Sequence, residues 1–85
     1  MIVNKRGLHA RASAKFVGAV AELDDDISVM VRKGGNSAAG ASILGLMMLG
    51  AAKGDTIEIS VEGDGCEDVL ASLCAMVEDG FGEEK

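Results

Sequence analysis

The sequence contains no proline, tryptophan or tyrosine, and its two aromatic residues are Phe16 and Phe81. Without Tyr and Trp there are few rings on which nucleic-acid bases could stack. Fourteen acidic residues against eight basic ones also oppose the phosphate neutralisation that drives nucleic-acid binding. We therefore expect no nucleic-acid partner. The shortage of aromatic residues predicts a core of Ala, Val, Leu, Ile and Met.

Cysteine is scarce as well, and it occurs at Cys66 and Cys74. Residues eight positions apart lie on similar sides of one helix, which favours reduced, buried thiols over a disulfide framework. The longest weakly polar stretch, residues 38–52, is shorter than the roughly 20 residues that cross a bilayer. No signal-peptide pattern follows Lys5 and Arg6. We expect a cytoplasmic protein that does not insert into a membrane.

The length of 85 residues suits one small domain, predicted over residues 1–85, and 48% of the residues are apolar. Residues 1–21 contain four of the eight basic residues and none of the fourteen acidic ones. A basic amino-terminal segment therefore precedes an acidic body.

Glycines divide the chain into segments with strand or helix periodicity. The alternation of apolar residues predicts strands at residues 1–4, 27–32, 36–39 and 56–61, with a hairpin turn at Gly34-Gly35. Helical spacing predicts helices at residues 10–23 and 42–49, and a third that begins at a capping box of Asp64 and Glu67 and ends at Gly80. The order βαββαβα indicates an α+β fold with helices on one face of an antiparallel sheet.

His9 is the one histidine of the sequence, and it stands where the first predicted helix begins. A lone histidine is more often structural than functional. Here the turn at Gly7 and Leu8 is expected to leave the backbone exposed, and the first-turn N–H groups converge beside the imidazole with Arg11 nearby. These groups make an anion site, which would hold a negatively charged group carried by the imidazole, such as a phosphoryl group.

The residues near His9 in the sequence lack the groups that hydrolysis or metal binding would require. Residues 1–21 contain no carboxylate that could activate water, and Ser13 has no evident catalytic triad. One histidine and two helical cysteines do not offer a metal site. A nucleophilic nitrogen beside an anion site suffices to accept a group and pass it on, so the pattern favours a carrier without metal or cofactor over an enzyme.

The second predicted helix is apolar on nearly every side. Leu46 and Leu49 suit the core. The remaining apolar residues are either buried too or form an exposed patch that a partner covers, and the exposed set would be Ile43, Leu44 and Met47.

Ser42 precedes this helix and has two possible roles. Serine is a favourable N-cap, which is a purely structural role. A phosphate on its hydroxyl would place negative charge beside the apolar patch, which is a regulatory role. Both interpretations fit the sequence.

Two segments resemble the signatures of one known family. Residues 7–17, GLHARASAKFV, are similar to the active-site signature of HPr, the histidine-containing phosphocarrier of the bacterial phosphoenolpyruvate-dependent phosphotransferase system. Residues 42–50, SILGLMMLG, resemble its second signature. The Met-rich second segment and the Gly80-Phe81 plus acidic ending resemble the nitrogen-related branch, NPr, or the proteobacterial HPr of regulatory systems more than the sugar-transport type.

The resemblance implies an open-faced β-sandwich, in which a four-stranded antiparallel sheet of order 1-4-2-3 carries three helices on one face. It implies that His9 accepts a phosphoryl group on Nδ1 from phospho-enzyme I and passes it to a IIA protein or domain, while Arg11 steadies the phosphate. Ser42 matches a regulatory serine, the target of a serine kinase and phosphorylase. We expect a monomer whose docking surface comprises Ile43, Leu44, Met47, Arg11 and Lys15.

The chain departs from the family pattern at four places. Ala12 stands where most members have proline, which is a favoured first-turn residue. The segment before His9 is shorter than usual, and the hairpin turn is slightly longer. Ser42 follows glycine and alanine in place of the usual basic residue.

Two other functions compete with a phosphocarrier. One is a regulatory protein-binding module that is controlled by phosphorylation of Ser42 without phosphotransfer through His9. The other is a small α/β RNA-binding fold of similar element order, which the acidic charge and the few aromatic residues disfavour.

Overall fold

The computed structural model of the protein describes residues 2–3, 7–23 and 26–82. These residues form an α+β fold with the elements α1 (Ala10–Ala21), β1 (Ser28–Lys33), β2 (Asn36–Ala39), α2 (Ile43–Met48), β3 (Glu58–Glu62) and α3 (Cys66–Glu78). A 3₁₀ turn, Gly80–Gly82, follows α3. From the first helix onward, the element order confirms the prediction, although β3 lies one to two residues later than the alternation indicated.

The three strands form one antiparallel sheet in which β1 lies between β2 and β3. Val31 of β1 is opposite Ala38 of β2 and Ile59 of β3, so these three side chains share a face of the sheet. Val29 and Val31 are buried, whereas the residues that alternate with them are exposed. The helices pack on the buried face, with α2 against β2 and α3 against β3.

The predicted first strand lies only partly within the described residues, which include Ile2 and Val3. Neither residue belongs to a strand, but Ile2 donates its N–H to the carbonyl of Asp55 and accepts the N–H of Gly54, each over 2.8 Å. The part of the chain that the structure describes therefore has a three-stranded sheet. The four-stranded order 1-4-2-3 stays a prediction.

The core lies between the sheet and the helices, and it does include the two aromatic residues. Phe16 and Phe81 are 1% and 2% exposed. Met30 is exposed and Met76 is only partly buried, which corrects the expectation that methionine fills the core in place of aromatic rings. The buried hydrophobic residues are Ile2, Leu8, Ala12, Phe16, Val29, Val31, Ala38, Leu46, Leu49, Ala51, Leu73, Val77 and Phe81.

The start of α3 corrects the predicted capping box of Asp64 and Glu67. The N-cap residue is Gly65, which has φ +78° and makes no side-chain cap hydrogen bond. The left-handed conformation turns the chain into the helix one residue later than the box requires, and only glycine adopts it without strain. Glu67 and Asp68 still lie in the first turn, where they complement the helix dipole.

Candidate functional site

His9 lies at the N-terminal end of α1, where its imidazole caps the helix. Its backbone is extended (φ −78°, ψ −178°), and Nδ1 accepts a hydrogen bond from the backbone N–H of Arg11 over 3.3 Å. A ring nitrogen that accepts a hydrogen bond holds a lone pair, so in the neutral imidazole the proton is on Nε2. The half-buried ring therefore presents its nucleophilic Nδ1 to the first turn of the helix.

The first turn of α1 has the features of an anion site. Ser13 donates its N–H to the carbonyl of His9 over 2.9 Å, and the amides of residues 10–12 precede it without a carbonyl partner inside the helix. The turn contains no acidic residue, and the helix dipole makes it positive. Arg11 is exposed in the same turn, so the structure brings together His9, Arg11 and the helix amides.

The turn before His9 is buried, which corrects the expectation of an exposed backbone. Leu8 donates its N–H to the carbonyl oxygen of Ala51 over 2.9 Å. Gly7 has φ +61°, and a Cβ at this position would overlap the carbonyl oxygen of Ala51 and lie 2.7 Å from the Cα of Ala52. Glycine is required here because of both the backbone conformation and the close approach. The segment after α2 covers the turn, a contact that local sequence patterns do not indicate.

Ser13 anchors the same turn from inside the fold. Its side chain is fully buried, and its Oγ donates a hydrogen bond to the carbonyl oxygen of Leu8 over 3.2 Å. A buried hydroxyl is stable only when it is hydrogen bonded. Ser13 thus has a structural role in holding the backbone that leads to His9.

The segment that covers this turn, residues 50–55, is held by its own hydrogen bonds and by Lys33. Oδ2 of Asp55 accepts the N–H of Ala52 over 2.9 Å, and Asp55 donates its own N–H to the Ala52 carbonyl over 2.9 Å. Nζ of Lys33 lies 3.1 Å from Asp55 Oδ2 and donates to the carbonyl of Gly50 over 3.0 Å. The Ala52 N–H and then the Lys33 ammonium lower the pKa of Asp55 below its ordinary value of 3.8.

Lys15 reaches the turn that follows α3. Its Nζ donates a hydrogen bond to the carbonyl oxygen of Phe81 over 2.8 Å. Phe81 is buried with φ +57°, a conformation that is uncommon for residues other than glycine. Lys15 is predicted from the sequence to join a docking patch, and the structure adds that its ammonium stabilises this turn.

Ser42 is the N-cap of α2, as predicted. Its Oγ accepts the N–H of Gly45 over 3.0 Å. A Cβ on Gly45 would lie 3.0 Å from that Oγ and 3.2 Å from the Cβ of Ala38, so the short helix packs closely on β2 at this point. Ser42 lies at the opposite end of α2 from Ala51, which contacts the turn before His9.

The structure decides between the two interpretations of the apolar second helix. Leu46 and Leu49 are buried, as predicted. The other side of the helix is an exposed apolar surface, here called the α2 patch, which consists of Ile43 (41% exposed), Leu44 (68%), Met47 (41%) and Met48 (77%). Met48 is absent from the predicted set. Its position four residues after Leu44 places both on one helix face, and this spacing could have identified it.

The remaining sequence predictions concern metals, membranes and thiols. Within residues 2–3, 7–23 and 26–82, no group of three His, Cys, Asp or Glu side chains could hold a metal ion. None of the helices in these ranges combines the length and the apolar character needed to cross a bilayer. Cys66 and Cys74 are free thiols, as predicted, but both are half-buried rather than fully buried.

The sequence matches one protein family over nearly its whole length. The family model described as the PTS HPr component phosphorylation site matches residues 1–79. The phosphocarrier protein HPr of Neisseria meningitidis serogroup A is 42% identical over 82 residues, which cover 96% of this chain and 90% of that protein. The phosphocarrier protein NPr of Shewanella violacea is 39% identical over 82 residues, covering 96% and 88%.

The fold agrees with this assignment. The crystal structure of HPr-C-His from Thermoanaerobacter tengcongensis matches with a TM-score of 0.89 and 37% identity, covering 99% of this chain and 92% of that one. The relatives carry both the HPr and the NPr name, and the nitrogen-related branch stays a prediction. The members of this family are carriers of a phosphoryl group rather than enzymes with turnover. This chain belongs to the HPr family of phosphocarrier proteins of the phosphotransferase system.

Proposed function

We propose that this phosphocarrier takes its phosphoryl group from phospho-enzyme I on Nδ1 of His9 and gives it to a IIA protein or domain. The observation that carries the proposal is the hydrogen bond from the Arg11 N–H to Nδ1. This bond directs the Nδ1 lone pair at the N-terminus of a twelve-residue helix. A phosphoryl group bound there meets backbone amides and the positive end of the helix dipole.

The transfer requires no general base beside His9. The Nδ1 lone pair attacks phosphorus, the bond between phosphorus and the donor group of enzyme I breaks, and the proton on Nε2 stays in place. Phosphorylated Nδ1 has no lone pair for the Arg11 N–H, so a phosphoryl oxygen becomes the acceptor of that hydrogen bond. The lost bond is a long one at 3.3 Å, whereas an anionic oxygen accepts the same N–H more strongly. The guanidinium of Arg11 adds positive charge in the same turn.

The α2 patch is the proposed docking surface for both partners. Helix α1 packs against α2, and Ala51, three residues after α2, contacts the turn that precedes His9. Exposed apolar area of this kind is costly unless a partner covers it, and flexible Met side chains suit a surface that must fit a donor and an acceptor in turn. We assign the docking role to the four residues of the α2 patch, the predicted Ile43, Leu44 and Met47 together with Met48, with Arg11 and Lys15 attracting acidic partner faces.

Phosphorylation by enzyme I tests this function directly. Incubation of the full chain with enzyme I and phosphoenolpyruvate should add the mass of one phosphoryl group, and mild acid should remove it. His9→Ala should gain nothing, because His9 is the one histidine of the sequence. Arg11→Met should slow the reaction about tenfold or more, since it removes a charge beside the transferred group. Arg32→Met is the matched control, because Arg32 is an exposed arginine on the sheet.

Two kinds of result would contradict the roles proposed for His9 and Arg11. A phosphoryl group that appears on His9→Ala, or that survives acid in the parent protein, would place the modification on another residue. Equal rates for Arg11→Met and Arg32→Met would remove Arg11 from the site.

A regulatory role of Ser42 is the second candidate function. The supporting observation is that Oγ of Ser42 caps the same short helix that carries the α2 patch. A phosphate attached to Oγ by a serine kinase would bring negative charge to this surface and weaken docking of acidic partners. Ser42→Asp should therefore weaken binding of a IIA protein in calorimetry, whereas Ser42→Asn keeps a good cap without charge and should bind as the parent does. If the protein is instead a binding module controlled by Ser42 without phosphotransfer, His9→Ala should still bind the partner, and Ser42→Asp should still weaken that binding.

We further propose that the chain acts as a cytoplasmic monomer with one domain over residues 1–85. The two free, half-buried thiols of α3 support a reducing compartment. Sedimentation analysis should give the mass of a single chain, and a concentration-dependent dimer would contradict this part of the proposal.

A further inference from the structure

The side chain of Lys33 contacts both the first and the last residue of the segment 50–55. Its Nζ donates to the carbonyl oxygen of Gly50 over 3.0 Å and lies 3.1 Å from Oδ2 of Asp55. The same carboxylate oxygen accepts the N–H of Ala52 over 2.9 Å. One ammonium group therefore joins the first and last residues of this segment, and we refer to the pair of Lys33 and Asp55 as the clasp.

The segment held by the clasp contacts the turn that precedes His9. Ala51 lies inside the segment, and its carbonyl oxygen accepts the N–H of Leu8 over 2.9 Å. Gly7 approaches Ala51 so closely that a Cβ could not be accommodated. Because Leu8 is joined to His9 by a peptide bond, a displacement of Ala51 moves the backbone that carries the imidazole.

The clasp differs from an ordinary surface ion pair. Arg32 and Glu58 join β1 to β3 with a nitrogen-to-oxygen distance of 4.0 Å, and their side chains are 60% and 73% exposed. Pairs of that kind contribute little to stability. The side chains of Lys33 and Asp55 are closer together and only 32% and 38% exposed, and they also bind backbone groups. The Arg32 and Glu58 pair is therefore a matched control.

We propose that Lys33 and Asp55 are positioning residues for phosphoryl transfer, because the segment they hold keeps Nδ1 of His9 against the first turn of α1. They act through the backbone of Ala51 and Leu8. The inference rests on the proposed function of His9 and adds to it a pair of side chains far from His9 in the sequence. A small misplacement of a reacting atom is sufficient to slow a transfer reaction substantially.

A double-mutant cycle on the full chain tests the clasp. The variants are Lys33→Met, Asp55→Asn and their combination, and the control cycle uses Arg32→Met and Glu58→Gln. Asp55→Asn removes the charge but keeps an oxygen that can accept the Ala52 N–H, so the fold should be retained. Two quantities are measured: hydrogen exchange of the Leu8 amide relative to the amides of β1, and the kcat and KM of enzyme I with each variant as substrate.

Each clasp variant should exchange its Leu8 amide faster than the parent, by a factor about tenfold larger than the factor for the amides of β1, which report any loss of global stability. The kcat for phosphorylation should fall about fivefold with little change in KM, because His9 is misplaced while the α2 patch is intact. The double variant should behave like either single variant, since the two residues act as one unit. The control cycle should leave both quantities within about twofold of the parent.

Two results would overturn the inference. One is an equal Leu8 exchange rate in the clasp and control variants. The other is exchange that becomes faster by the same factor across β1 and at Leu8, which would mean that the pair contributes to global stability alone. If enzyme I phosphorylates no form of the protein, including the parent, the proposed function fails, whereas the Leu8 exchange still shows whether the clasp fixes the turn before His9.

Discussion

Replacement of Gly7 by alanine measures how closely the turn before His9 fits against residues 50–55. Gly7 has φ +61°, a conformation that costs a non-glycine residue about 1–2 kcal/mol. The added Cβ would also lie 2.7 Å from the Cα of Ala52 and overlap the carbonyl oxygen of Ala51. Overpacking of this kind adds about 1–3 kcal/mol, so the free energy of unfolding should fall by about 2–5 kcal/mol in total.

Gly34→Ala provides the matched control. Gly34 has φ +59°, and no neighbouring atom lies within 4 Å of an added Cβ, so this variant should lose only about 1–2 kcal/mol. Urea unfolding followed by circular dichroism measures both variants, because the sequence has neither Trp nor Tyr for fluorescence. Gly7→Ala should be the less stable by at least about 1 kcal/mol. Equal losses in the two variants would refute the close contact between the turn and the segment that covers it.

Three further predictions concern stability. Leu46→Ala should lower the free energy of unfolding by about 2–5 kcal/mol because Leu46 is fully buried. Leu44→Ala, on the exposed α2 patch, should change the free energy of unfolding by less than about 0.5 kcal/mol. Urea titrations of both variants measure this difference. Lys15→Met removes the hydrogen bond to the Phe81 carbonyl and should lower the free energy of unfolding by about 1 kcal/mol. Hydrogen exchange should rise most at the turn after α3. A rise confined to other regions would contradict the role of Lys15 in stabilising that turn. Because the folded-state pKa of Asp55 lies below 3.8, its carboxylate stabilises the fold above that pH and the stabilisation is lost as the pH falls through the folded-state pKa. Urea midpoints of the parent and Asp55→Asn should therefore differ at neutral pH and converge in acid, and a constant difference would disprove the assignment.

The features that sequence patterns predict well are those whose signals are local. The spacing of apolar residues after His9 predicts α1, and Ser42 predicts the start of α2, because a helix and its cap involve residues within one or two turns of each other. The exposure of Leu44 is one of two outcomes that the sequence leaves open, and the structure, in which Leu44 is exposed, decides between them. His9 and Arg11 are brought together for the same local reason.

The features that the sequence does not predict depend on contacts between distant segments. The hydrogen bond of Lys15 to Phe81 joins residues 66 positions apart, and no periodicity encodes such a pairing. The burial of Gly7 by Ala51 is of the same kind. The N-cap of α3 is a different case. Asp64 is a favourable capping residue, but the positive φ of Gly65 makes Gly65 the N-cap and shifts the helix by one residue.

The central claim is that the phosphoryl group is carried on Nδ1 of His9 at the N-terminus of α1. Nitrogen-15 and phosphorus-31 NMR of the enzyme I-phosphorylated protein tests it most directly, with the imidazole nitrogens and the backbone amides labelled. The structure predicts phosphorus coupled to Nδ1 and a large shift of the Arg11 amide proton, because that amide exchanges the ring nitrogen for a phosphoryl oxygen as its acceptor. Phosphorus coupled to Nε2, or an Arg11 amide that does not shift on phosphorylation, would contradict the account.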